Sequence, residues 1–433
     1  MPSPVRRPLS ATTLGRRETL MDISALTVAV QGALDRLRST PARVNSSTDI
    51  PPEIQDAILD HELSKEVLKV LERQEEFANG RPLMVNSLSG RMGFQSQFVA
   101  PLLMREARHR KSADAAVRWL EKVLGTKSAA GIAVYTLWGL NPAKHVELLD
   151  DVDLRPFDSL PASRQKEGLT APRWPSASLA TPVYAWQPPT AALVARLEIV
   201  PYLVDINAEP DSAQKGRPDY RALFEDIRLC LAIIGPAAII PGPSWFQYLD
   251  PDLEAAVIGA ASGLSHQEIV PFHVPESKAL DASEASELVK AYAGLAPSLK
   301  NRARTAMERL HQALVRRSPA DQALEIAIAL ETLLVNSSGE HTFKIALRAA
   351  LLTSEDVEER SHNRAMIEAV YGMRSALMHS GQAPTECKVH NHGRRPAAEV
   401  AADAARITAL IIRRVLTRGE LPDWNSLELS NGM

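Results

Sequence analysis

Residues 318–335 read SPADQALEIAIALETLLV, and the rest of the fold is read outward from them. Ser318 offers an N-cap oxygen, Pro319 suits the first helical position, and Asp321 places an acid in the first turn. Leu324, Ile326, Ile328, Leu330, Leu333 and Leu334 make the segment apolar almost all round, so it predicts a helix buried on several sides. The helical period continues on both sides of it. Helices are expected over about 282–294, 298–317 and 341–352, then from Ser354 to just before Gly381, and from Ala397 to Arg418. The last carries the stripe Val400, Ala404, Ile407, Ile411, Val415 and is stopped by Gly419 and Pro422. Upstream the texture changes. Residues 132–140 and 193–206 are β-prone, residues 220–234 form an amphipathic helix, and Ala237–Ile240 reads as a short strand ended by Gly242-Pro243. Seven prolines between Pro156 and Pro189 mark irregular chain. Trp245, Phe246 and Tyr248 read as core residues, because base stacking would want basic neighbours. The expected class is α+β, with a mixed α/β region over 21–280, an all-α bundle over 281–420, a disordered leader over 1–20 and a tail over 421–433.

Composition bounds the function. A chain of 433 residues predicts two or three folding units, and an aromatic content of 5 % with abundant Ala and Leu argues against an all-β fold. The net charge of −3 excludes a protein that wraps nucleic acid by bulk electrostatics, so any such contact must be local. Two cysteines, Cys230 and Cys387, exclude a disulfide scaffold and a four-cysteine zinc site and favour a reducing compartment. No apolar run reaches the ~18–20 residues of a membrane span, so a cytoplasmic protein without a membrane partner is expected. Arg6, Arg7, Arg16 and Arg17 among Ser and Thr resemble a transit peptide, but a plain leader ahead of Met21 is the simpler expectation. Arg105, Arg108, His109, Arg110 and Lys111 close a helix, either complementing its dipole or forming a phosphate patch. Gly125-Thr126-Lys127-Ser128 lacks the first glycine of a phosphate loop and is set aside.

Polar residues inside apolar patterns are the functional candidates. Glu325 and Glu331 interrupt the 318–335 helix, and a buried carboxylate is costly unless paired. On the helix that ends before Gly381, Met366, Val370, Met373 and Leu377 share a face, and Arg374 falls about 40° from Val370. Arg374 either snorkels, pairs with an acid, or lines a site. A structural ion pair of Glu331 with Arg374 or with Arg348 is one open reading. His379 lies five residues on, about 140° round an ideal helix, so unwinding near Gly381 or a second subunit is needed to bring the two together.

The stretch Tyr371-Gly372-Met373-Arg374-Ser375-Ala376-Leu377-Met378-His379 resembles the Arg-x-x-x-x-His signature of HEPN domains. Ala329-Leu330-Glu331-Thr332-Leu333-Leu334 and Leu347-Arg348-Ala349-Ala350-Leu351-Leu352 resemble, in order, the preceding segments of the ApeA-like HEPN branch. The likeness is tight over about 318–381 and extends over 282–420. It departs where Ser380 stands between His379 and Gly381, since the family often has His-Gly. The resemblance implies a helical bundle that dimerises, and for many members a metal-independent endoribonuclease in toxin, abortive-infection or antiviral defence. It implies Arg374 and His379 as the catalytic pair, with Ser375, Glu331 and Arg348 in support. The chemistry suits these residues. A neutral imidazole takes or gives the proton of 2′-OH attack, and a guanidinium meets the extra charge of the phosphorane.

Two further expectations concern the chain beyond His379. Residues 382–396 read as a mobile basic loop whose Lys388, Arg394 and Arg395 hold the RNA backbone. The same stretch offers Cys387, His390 and His392 beside His379, ligand types zinc accepts, but the loop reading is preferred and neither metal nor cofactor is expected. The expected partners are an RNA substrate, a second copy of the chain, and a protein trigger or antitoxin. The rival to the nuclease is a catalytically silent HEPN module that senses nucleotides or binds proteins.

Overall fold

The structure, a computed structural model, describes residues 21–39, 59–77, 83–88, 90–170, 187–205, 219–257, 278–335 and 341–430. The leader, Pro51 and Pro52, either of which suits the first turn of a helix, and residues 171–186 of the proline-rich stretch lie outside them.

The elements follow in chain order. They begin with α1 (Ile23–Ser39), α2 (Lys65–Leu71), β1 (Leu83–Ser87), β2 (Gly90–Gly93), α3 (Ser96–Arg110) and α4 (Ala113–Gly125). Next come β3 (Ala129–Trp138), β4 (Leu140–Asn141), β5 (Val146–Leu149), β6 (Val152–Pro156), α5 (Arg164–Thr170), β7 (Ala191–Ile199) and β8 (Leu203–Asp205). Then follow α6 (Tyr220–Ala232), β9 (Ile240–Tyr248), α7 (Pro251–Ala255) and β10 (Lys278–Ala279). The remainder is α8 (Ala282–Ala293), α9 (Pro297–Val315), α10 (Pro319–Leu334), α11 (His341–Thr353), α12 (Val357–Ser380), β11 (Glu386–Val389), β12 (Gly393–Pro396), α13 (Ala397–Arg418) and α14 (Trp424–Ser430). The fold is therefore α+β, with the larger sheets in the first half and helices dominating after residue 281.

The chain divides into two compact units. The first collects Met1–Ala129, Ile199–Ser212 and Leu249–Gly259. In it α1, α3 and α4 pack together, and β2-β1-β8 form an antiparallel sheet. Ser112 caps α4, its side-chain oxygen accepting from Ala115 N–H.

The second unit collects Ala130–Glu198, Ala213–Tyr248 and Ala260–Met433. Its five-stranded sheet runs β5-β6-β7-β3-β9. Ile132, Val134, Phe157, Leu160, Ala192, Val194 and Trp245 form a core cluster on it. Two strand expectations need correction. The stretch expected as one strand over 193–206 is broken at Pro201 and serves two sheets, as β7 and β8. The strand expected to stop at Gly242-Pro243 instead begins at Ile240 and runs through both to Tyr248. Strand β9 is an edge strand, so the N–H groups that Pro241 and Pro243 lack are not all demanded by a neighbour. A Cβ at Gly242 would collide with Thr136 and Trp138, so the close approach of β9 to β3 needs glycine there.

Helix α10 packs against α9, α11, α12 and α13, which explains why it is apolar almost all round. Ser318 Oγ accepts from Asp321 N–H at its start. Helix α12 begins later than Ser354, because Asp356 takes the N-cap and accepts from Glu359 N–H. Gly381, with φ 66°, ends it in the left-handed conformation that glycine adopts without strain. All five stripe residues of α13 are buried. Residues 382–396 are not a loop throughout. Strands β11 and β12 pair antiparallel with Lys388 opposite Arg394, and Cys387 and Val389 point inward while Lys388 points out. Within the expected tail, α14 forms, with Trp424 buried.

Candidate functional site

Glu331 sits on the last turn of α10. The C-terminal carbonyls of that helix are satisfied by two arginines from outside it. Arg302 donates to the carbonyls of Thr332, Leu333 and Val335 at 2.9, 3.1 and 3.3 Å. Arg348 donates to the carbonyl of Leu334. Two guanidiniums on a helix C-terminus answer both its orphan acceptors and its dipole. Arg348 also bonds Glu428 Oε1 at 2.6 Å and stacks on the Trp424 ring. It is therefore bound to α14 and the end of α10, and the pairing of Glu331 with Arg348 does not form.

Arg374 is the partner of Glu331. Its Nη1 lies 2.5 Å from Glu331 Oε1, and both side chains are 32 % exposed. The Tyr371 hydroxyl, 3.4 Å from both Glu331 Oε1 and the Ala327 carbonyl oxygen, points at the same carboxylate. Arg374 leans over the Tyr371 ring at 5.7 Å. Burial pushes the Tyr371 phenol well above its ordinary range, and the Glu331 charge adds to this. The group is thus a half-buried Glu-Tyr-Arg cluster.

Glu331 is therefore not the buried acid of α10. That acid is Glu325, 4 % exposed and held by Arg309 at 3.2 Å and Arg316 at 3.0 Å. Both arginines precede α10 in sequence and nothing in the apolar pattern singles them out.

His379 is exposed on the last full turn of α12 and makes no hydrogen bond or ion pair with the described residues. Ser375 is exposed as well. The helix stays regular through Ser380, so the unwinding expected before Gly381 does not occur. Arg374 and His379 keep their angle of about 140° within one chain. His379 instead shares a helix face with Gly372 and Ala376. These two residues, with Ala369, Pro384, Cys387 and Lys388, line a 430 Å³ groove between α12 and the hairpin.

The basic candidates fare unequally. Lys388 and Arg394 are exposed, Arg394 facing Glu386 at 3.6 Å. Arg395 is committed to Asp403 at 2.9 Å and Glu399 at 3.0 Å. In the first unit Arg108 pairs with Asp60, and Arg110 with Asp252 and with Glu106 of α3 itself, so these two cations of the basic end are already engaged.

Among the described residues no three or more His, Cys, Asp or Glu side chains stand in metal-holding positions. Cys387 is buried, and burial raises its thiol pKa. His392 meets a residue the sequence pattern did not flag, His362 of α12, at 3.3 Å. Burial lowers the His362 pKa, helped by His392 and Arg395 and opposed by Glu359. No helix among the described residues is long and apolar enough to cross a membrane.

No family model, curated protein or solved structure matches the chain.

Proposed function

We propose that this protein is a metal-independent endoribonuclease of HEPN type, active as a homodimer in a defence or toxin role. The observation that carries the reading is the pairing of residue types on α12. A half-exposed guanidinium is oriented by Glu331, and an imidazole five residues on makes no hydrogen bond or ion pair with the described residues. In one chain they diverge, so the competent site forms across a two-fold axis, where Arg374 of each subunit meets His379 of the other. His379 removes the 2′-OH proton, and its symmetry mate protonates the leaving 5′-oxygen. Arg374 forks onto the non-bridging oxygens, where the charge grows. Lys388 and Arg394 hold the flanking backbone. The segments resembling the ApeA-like branch support the reading, as does the burial of α10 at the centre of the helices.

The 2.5 Å ion pair supports a second reading, a silent module in which Arg374 only neutralises Glu331. Cleavage of single-stranded RNA in EDTA separates the two. Loss of cleavage in both Arg374→Ala and His379→Ala, with an unchanged circular dichroism spectrum and a dimeric mass, is the outcome for the enzyme. Activity that survives both substitutions shows that cleavage does not pass through this pair, and its absence from the wild-type dimer leaves the silent module.

A further inference from the structure

His362 and His392 come from different elements and belong neither to the Glu331–Arg374 cluster nor to the lining of the groove beside α12. His362 rises from the second turn of α12. His392 sits in the β11–β12 turn, where Asn391 adopts φ 61° and His392 N–H closes onto the Val389 carbonyl at 3.0 Å. The rings stand edge to face, 4.8 Å between centroids and 89° between planes. His362 Nδ1 lies 3.3 Å from His392 Nε2. Two nitrogens bound to one tetrahedral zinc ion at ~2.0–2.1 Å lie about 3.3 Å apart. The turn thus holds two imidazole nitrogens at the span of neighbouring ligands on one ion.

The surroundings suit a cation. Glu359 precedes His362 by three residues on α12, the Glu-x-x-His spacing that puts both on one helix face. One of its oxygens accepts from Ser354 Oγ at 2.6 Å, and its charge acts on His362. Arg395, whose charge acts on His362, is already paired with Asp403 and Glu399. We propose that His362 and His392 bind a divalent first-row transition ion, zinc by ligand class, with water completing the shell and Glu359 entering it by a change of rotamer. The ion clips the hairpin to α12 and so fixes the wall of the 430 Å³ groove. On binding, each imidazole turns a lone pair to the ion and keeps its proton on the other ring nitrogen. No step of RNA cleavage passes through this site.

The test is titration of the EDTA-stripped, dialysed full-length protein with zinc chloride by calorimetry, and with cobalt chloride followed by visible absorption. The wild type is expected to bind one equivalent in the micromolar range and to show tetrahedral cobalt bands. His392→Asn, at an exposed turn, and His362→Gln are each expected to weaken binding about tenfold or more and to abolish the bands. Glu359→Gln is expected to weaken it less. Far-ultraviolet circular dichroism of each variant confirms that the fold persists. Wild-type binding no tighter than that of His392→Asn, or bands that survive both histidine substitutions, overturns the proposal. The readout is binding, so it stands or falls apart from RNA cleavage.

Discussion

Replacing Glu331 by Gln asks whether Arg374 is kept for a phosphate. Both side chains are about one-third exposed, which puts the pair among surface ion pairs worth ~0.2–1 kcal/mol. Gln keeps an acceptor oxygen for Arg374 and for the Tyr371 hydroxyl, so only the charge is removed. The stability cost therefore stays below about 1 kcal/mol. The same change removes a carboxylate 2.5 Å from the guanidinium. A phosphate seated on Arg374 would stand ~4 Å from that carboxylate, where repulsion under water-like screening is about 1 kcal/mol. Relieving it tightens RNA binding about fivefold. The assay is fluorescence anisotropy of a labelled single-stranded RNA in EDTA at low salt, on a His379→Ala background that keeps the RNA intact. Urea unfolding supplies the stability. Glu331→Gln/His379→Ala is expected to bind about fivefold more tightly than His379→Ala, with a nearly unchanged unfolding midpoint. Unmoved RNA affinity together with a stability loss above about 2 kcal/mol would refute the reasoning. The pair would then be a brace, and Arg374 would meet no phosphate.

Three other outcomes rest on the same geometry. Arg309→Ala/Arg316→Ala strands the buried Glu325 carboxylate and should cost about 3–5 kcal/mol in denaturant unfolding. Adding Glu325→Gln should restore most of it. His311 is buried, and its Nε2 lies 2.9 Å from the Ile239 carbonyl oxygen. Burial, with Arg228 nearby, holds its pKa well below 6.5. The unfolded chain takes up a proton below pH ~6.5 that the folded one refuses, so stability falls with acidification by up to about 1.4 kcal/mol per pH unit. His311→Gln should flatten that slope between pH ~6.5 and ~5. Lys388→Ala and Arg394→Ala should each reduce the salt dependence of RNA binding by about one unit of log–log slope. Arg395→Ala, already neutralised in the fold, should instead lower the melting temperature and leave the slope alone.

The helices after residue 281 were legible because their caps and stripes are local. Ser318 with Pro319, the Gly381 stop, and Val400 through Val415 each need only near neighbours in sequence, whereas the start of α12 reads as Ser354 in the sequence and Asp356 holds the cap. What escaped was set by elements far along the chain. That Pro241 and Pro243 sit inside a strand depends on β9 being an edge, which no local pattern states. The hairpin at 386–396 did carry a signal, the alternation of Cys387 and Val389 with charged residues ahead of Asn391 and Gly393, but the basic residues masked it. The candidate pair was read from its residue types, and so was an ion pair as the open alternative. Choosing Arg374 over Arg348 as the partner of Glu331 required knowing that α14 claims Arg348 through Glu428 and Trp424.

The interleaving of the two units bears on synthesis of the chain. The first unit borrows its last segment from 249–259. Asp252 in that segment receives Arg110 and Lys122, the Asp252 carbonyl receives the Trp119 indole N–H, and the Leu253 carbonyl receives the Tyr202 hydroxyl. Helices α3 and α4 leave the ribosome more than a hundred residues before these acceptors exist. Until translation passes residue 253, Arg110, Lys122 and Trp119 must wait without them, and a nascent chain stalled earlier holds an incomplete first unit however long it is given.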